Sequence, residues 1–387
     1  MKKVLLFIIG LIILTGCGKN KEVKDYYIYI TDSELATVYT LLDLVSNDDK
    51  SYIWYTDTSL INVNYLNTDK NVKISKYIGE FNTAIIDEIN EFIDDNKKNG
   101  RFHLVLDEKY YLLEFALDLD DNYDVRILSR GVESYNNYYE YEFDDGYDIY
   151  KKYEKEFNKL KYNFDINKKY DHNYLLISAK RNNTKYFLQY PEYITVYDKD
   201  VKNEIDKVNF DKLDPKTIYN NLSVDSQNKL LNIIGFDKKD YDNKYFTSNK
   251  PILVVIGGEG KYTEPEMEDM FKQIYDKYNE TYTILFKPHE DYDLDDTKLE
   301  YLNSLSINVL PSKMPMEIIS FIYSNLKIGG FPSSLLLNTK TEDVLFLFAK
   351  NNLELDSPFN KIINDTYKIE YITPIVIDAT KKKKVTK

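Results

Sequence analysis

The sequence predicts an α/β fold made of two domains, each with a parallel β-sheet, facing each other across a cleft. Apolar strand-like runs alternate with amphipathic helical segments along the chain, as they do in parallel α/β proteins. The length of 387 residues corresponds to about two domains at roughly 100–200 residues each. Polar or glycine-rich motifs follow three of the apolar runs, at the sheet edge where open α/β folds bind ligands.

The elements of the first half are predicted from their periodicity. Residues 26–30 form a strand-like run, and Ser33 is placed to cap a helix whose apolar side chains recur at helical spacing. Residues 83–96 show the same spacing and are predicted to form a second amphipathic helix. Further strands are predicted at 52–55, 103–106 and 138–143, whereas 110–119 fits either a helix or a strand.

The second half repeats this alternation after a charged stretch, 147–240, which is predicted to contain helices that cross between the domains. Residues 251–256 are continuously apolar and β-branched, as in buried parallel strands. Thr263, Pro265 and Glu266 form a capping-box start for a helix that continues to about residue 278. Further elements are strands at 281–286, 326–328 and 344–348 and a helix at 316–323.

The first residues read as a targeting segment. Lys2-Lys3 precede an apolar run at 4–14, which is too short to span a bilayer comfortably and ends just before Cys17. Cys17 is the only cysteine, so an internal disulfide is impossible, and its position resembles the lipid-acceptor site of bacterial lipoproteins. We therefore expect a signal peptide at 1–17, lipidation of Cys17, a tether at 18–25 and a membrane-anchored protein of the cell envelope. The alternatives are an ordinary signal peptide or an uncleaved anchor.

Composition excludes two classes of protein. With 43% hydrophobic and 15% aromatic residues, the chain is not of the disordered type. A net charge of −13 argues against general nucleic-acid binding, which needs a basic surface. The basic run 381–384 is an exception, typical of a solvated tail or of a contact with anionic lipid.

Two motifs are typical of phosphate recognition. Gly257-Gly258 follow the buried strand at 251–256, where glycines let backbone N–H groups approach a phosphate or ribose. Ser333-Ser334 follow a Gly-Gly pair and precede three leucines, so their hydroxyl and N–H groups are placed for binding an anion. The structural alternatives are a tight strand-to-helix turn for the first motif and a plain helix cap for the second.

Two further motifs carry acid–base groups. Asp144-Asp145 are expected at a strand end, as adjacent carboxylates that are candidates for binding a divalent ion. His289 follows the strand at 281–286, and Lys287 beside it adds positive charge for a phosphate. Purely structural roles remain the alternative for each, and His103 and His172 are assigned no chemistry.

Taken together and in order, Asp144-Asp145-Gly146, Lys287-Pro288-His289-Glu290 and Ser333-Ser334 resemble the motifs of bacterial sialyltransferases of glycosyltransferase family 80. The segments 29–35 and 222–227 are similar to the same family. This resemblance covers most of the chain from about residue 26. It implies the GT-B fold, in which two Rossmann-like domains face each other across a cleft.

The resemblance also implies a reaction: inverting transfer of sialic acid from CMP-sialic acid to a galactoside hydroxyl, without a metal or another cofactor. Asp145 would be the general base, with Asp144 as the fallback, and His289 would protonate or hydrogen-bond the departing CMP phosphate. The resemblance assigns nucleotide contacts to a further set of residues: Lys287, Glu317, Ser333, Ser334 and Gly258. Tyr262 stands where the family has an acceptor-side tryptophan.

The implied partners are CMP-sialic acid, a galactose-terminated glycan, and the membrane through the lipid anchor. The implied division is an acceptor-side domain at 26–177 together with 357–387, and a CMP-sugar domain at 178–356. Two alternatives stay open. One is a surface lipoprotein that has the same fold and binds glycans without turnover, and the other is a transferase that uses another CMP-activated keto-sugar such as Kdo.

Overall fold

The chain forms two parallel β-sheets with helices on their faces. The computed structural model describes residues 23–47, 49–55, 61–75, 82–138, 141, 145–166, 168, 170, 174–194, 198–258, 262–289, 294–349, 360, 363–364 and 369–375. Within these residues the first sheet has seven strands and the second has six, so the predicted two-domain α/β architecture is confirmed.

The first sheet has the strand order β3-β2-β1-β4-β5-β6-β7. Its strands are β1 (Lys24–Thr31), β2 (Lys50–Tyr55), β3 (Val72–Ser75), β4 (Gly100–Asp107), β5 (Tyr123–Leu128), β6 (Thr184–Leu188) and β7 (Phe210–Lys212). All neighbours are parallel; Ile28 of β1, for example, pairs with Leu104 of β4. From β1 the strands follow one another towards β3 on one side, and from β4 towards β7 on the other. The switch point of the sheet therefore lies between β1 and β4.

Helices cover both faces and connect the two sheets. Those of the first half are α1 (Glu34–Ser46), α2 (Val63–Leu66), α3 (Thr83–Asn96), α4 (Glu133–Asn136), α5 (Gly146–Asn163), α6 (Leu175–Ala179) and α7 (Lys199–Ile205), with 3₁₀ turns at Glu108–Tyr110, Leu113–Ala116 and Pro191–Tyr193. The connection to the second sheet is helical: α8 (Pro215–Asn221), α9 (Val224–Ile233) and α10 (Lys238–Lys244). No helix in the described part of the chain is both long and apolar enough to span a membrane.

The second sheet has the order β10-β9-β8-β11-β12-β13, with its switch point between β8 and β11. Its strands are β8 (Ile252–Ile256), β9 (Thr283–Lys287), β10 (Asn308–Val309), β11 (Lys327–Gly330), β12 (Val344–Phe348) and β13 (Glu370–Ile372). Its helices are α11 (Glu264–Tyr278), α12 (Asp296–Ser304) and α13 (Met316–Ile322), with 3₁₀ turns at Ser334–Asn338 and Thr341–Asp343.

Local signals explain the elements that the sequence predicts correctly. The Ser33 hydroxyl accepts a hydrogen bond from the Ala36 N–H at 3.4 Å and caps α1. The Glu266 carboxylate accepts from the Thr263 N–H at 2.7 Å, so the predicted capping box is present at the start of α11. All five residues of β8 are buried, as its apolar run predicts.

His103 is a structural residue, as expected. Its ring stacks on Tyr27 and lies 3.0 Å from the Asp25 carboxylate and 2.7 Å from that of Asp124. Burial opposes protonation of the ring, but the two carboxylates outweigh it and raise the His103 pKa. His172 lies outside the described residues.

The two domains are in contact through α1, which packs against α8, α9 and α13. An ion pair of 2.9 Å joins Lys229 of α9 to Asp69, which follows α2. The Asn62 N–H donates to the Ile233 carbonyl at 2.5 Å. The linking helices are therefore fixed to the first domain by both packing and polar contacts.

Three expectations about organisation are wrong: the strand at 138–143, the domain boundary at 178, and the return of the C-terminal segment to the first domain. The two described residues of the strand predicted at 138–143 are not in a strand: Tyr138 and Tyr141, together with Tyr135, are buried at a spacing of three, which belongs to successive helical turns. The strand that ends at this edge is instead β5. Residues 110–119, which fit either type, contain 3₁₀ turns.

The predicted domain boundary at 178 is also wrong. β6 and β7 extend the first sheet, since Val125 pairs with Thr184 and Tyr186 pairs with Phe210. β13, predicted to return to the first domain, pairs with β12 in the second sheet. Short strands rich in polar residues, such as β7, carry too little apolar periodicity to be recognised.

Candidate active site

Three loops meet at the carboxyl edge of the second sheet. They follow β8, β9 and β11, and two of these strands, β8 and β11, flank the switch point. The loops carry Gly257-Gly258, His289 and Ser333-Ser334, which are residues of the predicted nucleotide site. The sheet therefore brings together at one edge three motifs that are far apart in sequence.

Backbone contacts hold the first two loops together. The Gly257 N–H donates to the Lys287 carbonyl at 2.8 Å. A Cβ on Gly257 would lie 3.1 Å from the His289 nitrogen, and one on Gly258 would lie 2.6 Å from the Cβ of Phe331. Gly258 is therefore required for the close approach of the β8 and β11 loops, because any side chain there would displace Phe331.

Lys287 is buried beneath these loops, with 4% of its surface exposed. Its ammonium donates to the Pro288 carbonyl at 2.7 Å and to the Ser312 carbonyl at 2.8 Å. These bonds tie the β9 loop to the segment that leads into α13. These contacts clamp two loops together, and the direct phosphate contact that the sequence suggests for Lys287 stays a prediction.

Glu317 and His289 border the same edge. Glu317 lies in the first turn of α13 and is buried, with 9% of its surface exposed. Burial raises the pKa of Tyr39 on α1, and the carboxylates of Asp214 and Glu317 raise it further. The start of α13 is thus close to the first domain. His289 is half-buried, and Glu290 lies outside the described residues.

The serine turn contacts both domains. Ser333 caps the 3₁₀ helix Ser334–Asn338, and its hydroxyl accepts from the Leu335 N–H at 3.3 Å. Ser334 lies against Gly131 of the first domain, where an added Cβ would be 2.8 Å from the Ser334 Cβ. Ser333 is therefore a helix cap, its role in nucleotide binding stays a prediction, and Ser334 lies where the two sheet edges meet.

The opposite edge, at the switch point of the first sheet, holds a buried carboxylate that sequence reasoning missed. Asp107 ends β4 and accepts from the Ser33 N–H at 3.0 Å, the Ser33 hydroxyl at 2.7 Å and the Lys109 N–H at 2.9 Å. The Arg130 guanidinium is 3.8 Å away. Burial raises the pKa of Asp107, and Arg130 works against that shift.

Glu108, the next residue, is a second buried acid. The Tyr186 hydroxyl donates to its carboxylate at 2.5 Å, and the Asn137 amide donates at 3.3 Å. Burial raises the pKa of Glu108 to about 8, so the group is largely protonated at neutral pH. An Asp-Glu pair directly after the run 103–106 was the sequence signal for this cluster.

Asp145 immediately precedes α5 and is exposed. Its carbonyl accepts from the Ile149 N–H at 3.2 Å, and its side chain makes no capping hydrogen bond to the helix. A Cβ on Gly146 would lie 2.5 Å from the Tyr141 carbonyl, so a side chain at this position would clash with the Tyr141 backbone. Asp144 lies outside the described residues.

Two other predicted residues remain. Tyr262 is half-buried beside Phe331, with ring centroids 5.8 Å apart, and its hydroxyl donates to the Phe348 carbonyl at 3.4 Å. It therefore belongs to the same edge of the second domain as Gly258. Cys17 lies outside the described residues.

No family model matches the sequence, and no curated protein sequence matches it either. Several solved structures are similar to this chain in fold. An α/β-galactoside α-2,3-sialyltransferase from Photobacterium phosphoreum is 12% identical, with a TM-score of 0.70 over 91% of this chain and 99% of that one. A 2,6-sialyltransferase from Photobacterium sp. JT-ISH-224, solved with the donor product CMP and the acceptor lactose, is 16% identical, with a TM-score of 0.67 over 88% of this chain and 76% of that one.

A third solved structure, the GT-B domain of a sialyltransferase from Photobacterium damselae, is 14% identical, with a TM-score of 0.65 over 88% of this chain and 96% of that one. At these identities the similarity concerns the fold, since unrelated activities share folds. Two parallel sheets with Rossmann-like connections, aligned over nearly the whole chain, identify the architecture. The chain therefore has the GT-B fold.

Proposed function

We propose that this chain is a sialyltransferase-like glycosyltransferase, which transfers sialic acid from CMP-sialic acid to a galactoside hydroxyl with inversion. The observation that carries the proposal is the meeting of the three loops at the carboxyl edge of the second sheet. Gly257 contacts the backbone of His289, and Gly258 contacts Phe331 in the loop that leads to Ser333. A phosphate-binding site built from an imidazole and hydroxyl groups suits a nucleoside monophosphate as the leaving group.

The donor side works by stabilising the departing CMP. The bond between the anomeric carbon and the phosphate oxygen breaks, and His289 donates a proton or a hydrogen bond to that phosphate. Ser334 and the backbone of the serine turn add hydrogen bonds to its oxygens. Lys287 keeps the His289 loop in place through the Pro288 and Ser312 carbonyls. Glu317, at the start of α13, is the proposed partner of the ribose or base.

The acceptor side needs a base. As the galactoside hydroxyl attacks the anomeric carbon, Asp145 takes its proton, and Asp144 is the substitute if the motif is displaced by one residue. Tyr262 is the proposed contact for the acceptor sugar. The complex of the Photobacterium sp. enzyme with CMP and lactose supports this choice of donor nucleotide and acceptor class. The chemistry as proposed requires no metal or other cofactor.

The test is calorimetric titration of the detergent-solubilised full chain with CMP, followed by an assay for transfer from CMP-sialic acid to lactose. Saturable CMP binding together with transfer is the expected result. Failure to bind CMP would refute the proposal. Binding of CMP without transfer to any galactoside would favour a glycan-binding protein, and transfer only from CMP-Kdo would favour the other keto-sugar.

We also propose that Cys17 carries a lipid anchor that holds the enzyme at the cell envelope. Its thiol follows an apolar run and small residues, the pattern of a lipoprotein signal. Wild-type protein should partition into the detergent phase and incorporate labelled palmitate, whereas Cys17→Ser should do neither. Equal labelling of the two proteins would contradict the anchor and leave the enzymatic proposal untouched.

A further inference from the structure

A cavity of about 400 Å³ lies between the two domains and has no role in the reaction proposed above. The first domain and its linker contribute Tyr190, Lys212 and Lys216 to its wall. The second domain contributes Asn338 and Lys340. A volume of this size is within the range of about 300–1,000 Å³ found for pockets that hold small molecules.

The cavity is separate from the candidate active site. Ser324 and Asn325 in its wall follow the end of α13, whereas Glu317 is at the start of that helix. Asn338 likewise ends the 3₁₀ helix that Ser334 begins. At a rise of about 1.5 Å per residue in an α-helix and about 2 Å in a 3₁₀ helix, each pair of ends is roughly 8–10 Å apart.

The cavity is basic in an acidic protein. Its wall has three lysines, Lys212, Lys216 and Lys340, and one carboxylate, Asp214, which leaves an excess of two positive charges in a chain of net charge −13. The Asp214 carboxylate is occupied, since it accepts from the N–H of Thr217 at 3.0 Å and from its hydroxyl at 2.8 Å.

The lysines themselves lack acidic partners. Within the described residues none of the three is ion-paired with a carboxylate. The Lys212 ammonium lies 5.4 Å from the centre of the Tyr190 ring, and that of Lys216 is 3.4 Å from the Ser324 carbonyl. Lysines that line one cavity without a carboxylate partner give it a positive potential, which favours an anion.

Asn338 provides an independent sign of a ligand. Both polar atoms of its side-chain amide are buried, and neither has a hydrogen-bond partner in the described part of the protein. Leaving such an amide unsatisfied is unfavourable, so buried polar groups normally have a protein or solvent partner. Rotation of this side chain towards the cavity, which Asn338 lines, would let a ligand with hydroxyl and anionic oxygens satisfy both the donor and the acceptor of the amide.

We propose that the cavity binds a phosphate group carried by a small polar molecule. A phosphate monoester carries a charge of about −1.5 to −2 near neutral pH, which matches the excess of two positive charges. Lys212 and Lys216 hold the phosphate from the first domain, Lys340 holds it from the second, and Asn338 binds a hydroxyl of the attached group. The ligand thereby bridges the two domains at a site distinct from the nucleotide site.

The test is calorimetric titration of the full chain with two probes, inorganic phosphate and glucose 6-phosphate. Both should bind saturably, and stronger binding of the sugar phosphate would identify a phosphorylated metabolite rather than the free ion as the ligand. Lys212→Ala and Lys340→Ala should each lower the affinity about 10-fold or more, because each removes a charge-assisted hydrogen bond. Asn338→Leu should weaken the sugar phosphate more than inorganic phosphate.

Lys298→Ala is the matched control, since Lys298 is exposed and pairs with Asp295 on α12. It should leave both affinities unchanged, and thermal unfolding without ligand should show that every variant folds. Saturating CMP should not displace the sugar phosphate. Absence of saturable binding, equal affinity of the control and the Lys212 and Lys340 variants, or one-for-one displacement by CMP would each overturn the proposal.

Discussion

Gly131 of the first domain and Ser334 of the second are in such close contact that a Cβ on Gly131 would be 2.8 Å from that of Ser334. The Gly131 backbone has a φ of +85°, a conformation that residues with a side chain rarely adopt. The carboxyl edges of the two sheets therefore meet at Gly131, a residue without a side chain.

Replacing Gly131 by alanine should destabilise the protein in two ways, through the strained backbone and through the clash with Ser334. The backbone strain alone costs about 1–2 kcal/mol. Gly235→Ala isolates that part, because Gly235 has a φ of +65° and an added Cβ would meet nothing within 4 Å. Urea unfolding of both variants should show a larger loss for Gly131→Ala. Equal losses would mean that the domains separate there without cost.

Glu108 should make stability depend on pH. Its pKa is about 8 in the folded protein and 4.5 when unfolded, so the stability present below pH 4.5 declines as the pH rises towards 8. The decline should be on the order of a few kcal/mol. Glu108→Gln keeps the shape of the side chain and its contact with Tyr186. In this variant the urea-unfolding midpoint should depend much less on pH across this range. Glu133→Gln, on an exposed side chain of the neighbouring helix, should keep the wild-type slope.

Ser333→Ala combined with Ser334→Ala should weaken CMP binding with a modest effect on stability. The lost hydrogen bonds to a charged phosphate correspond to about 1.5–3 kcal/mol of affinity, whereas loss of the Ser333 cap costs about 1 kcal/mol of folding free energy. Calorimetry and thermal unfolding measure the two effects. Ser304→Ala, on a hydroxyl that donates to the Tyr301 carbonyl, is the control and should bind CMP normally.

Lys287→Met should behave differently, because its ammonium is committed to the Pro288 and Ser312 carbonyls. We expect a lower unfolding midpoint as well as weaker CMP binding, since the variant leaves two carbonyls without their donor and frees the His289 loop. A variant with normal stability that only loses CMP affinity would show direct contact between Lys287 and the nucleotide.

Asp145→Asn should retain CMP affinity and reduce sialic acid transfer about 10²–10⁴-fold, the range expected for loss of a general base. Asp144→Asn should reduce it less, and the activity should persist in EDTA. The measurements are initial rates with lactose, with and without chelator. A fully active Asp145→Asn variant, or an activity abolished by EDTA, would remove Asp145 from the mechanism.

Much of the fold could be predicted because its signals are local. The Ser33 cap, the capping box at Thr263 and the apolar run of β8 each reside in a few consecutive residues, and the structure has all of them. The strand prediction at 138–143 fails at its two described residues, Tyr138 and Tyr141, because a count of aromatic residues ignores their helical spacing. β7, three residues long and polar, offered no periodicity.

The site was harder to predict, because its geometry depends on contacts between distant loops. The motifs at 257–258, 287–289 and 333–334 were found, and the structure brings their loops to one edge. The burial of Lys287, the Asp107–Ser33 hydrogen bonds and the contact of Gly131 with Ser334 could not be read from sequence. Each of these contacts joins residues that are far apart in sequence and become neighbours only through the order of the strands.

The two switch points differ in what can alter them. At that of the first sheet lie ionisable side chains, Asp107 with Arg130 and the nearby acid Glu108, so a change in pH acts on it directly. That of the second sheet is closed by contacts at Gly258 and Gly330, where an added Cβ would lie 2.6 Å from Phe331 and 2.3 Å from the Ile256 carbonyl. Solvent conditions have no group to titrate in those contacts. The packing at these glycines therefore changes only when a residue is replaced, whereas the carboxylates at the first switch point also respond to pH.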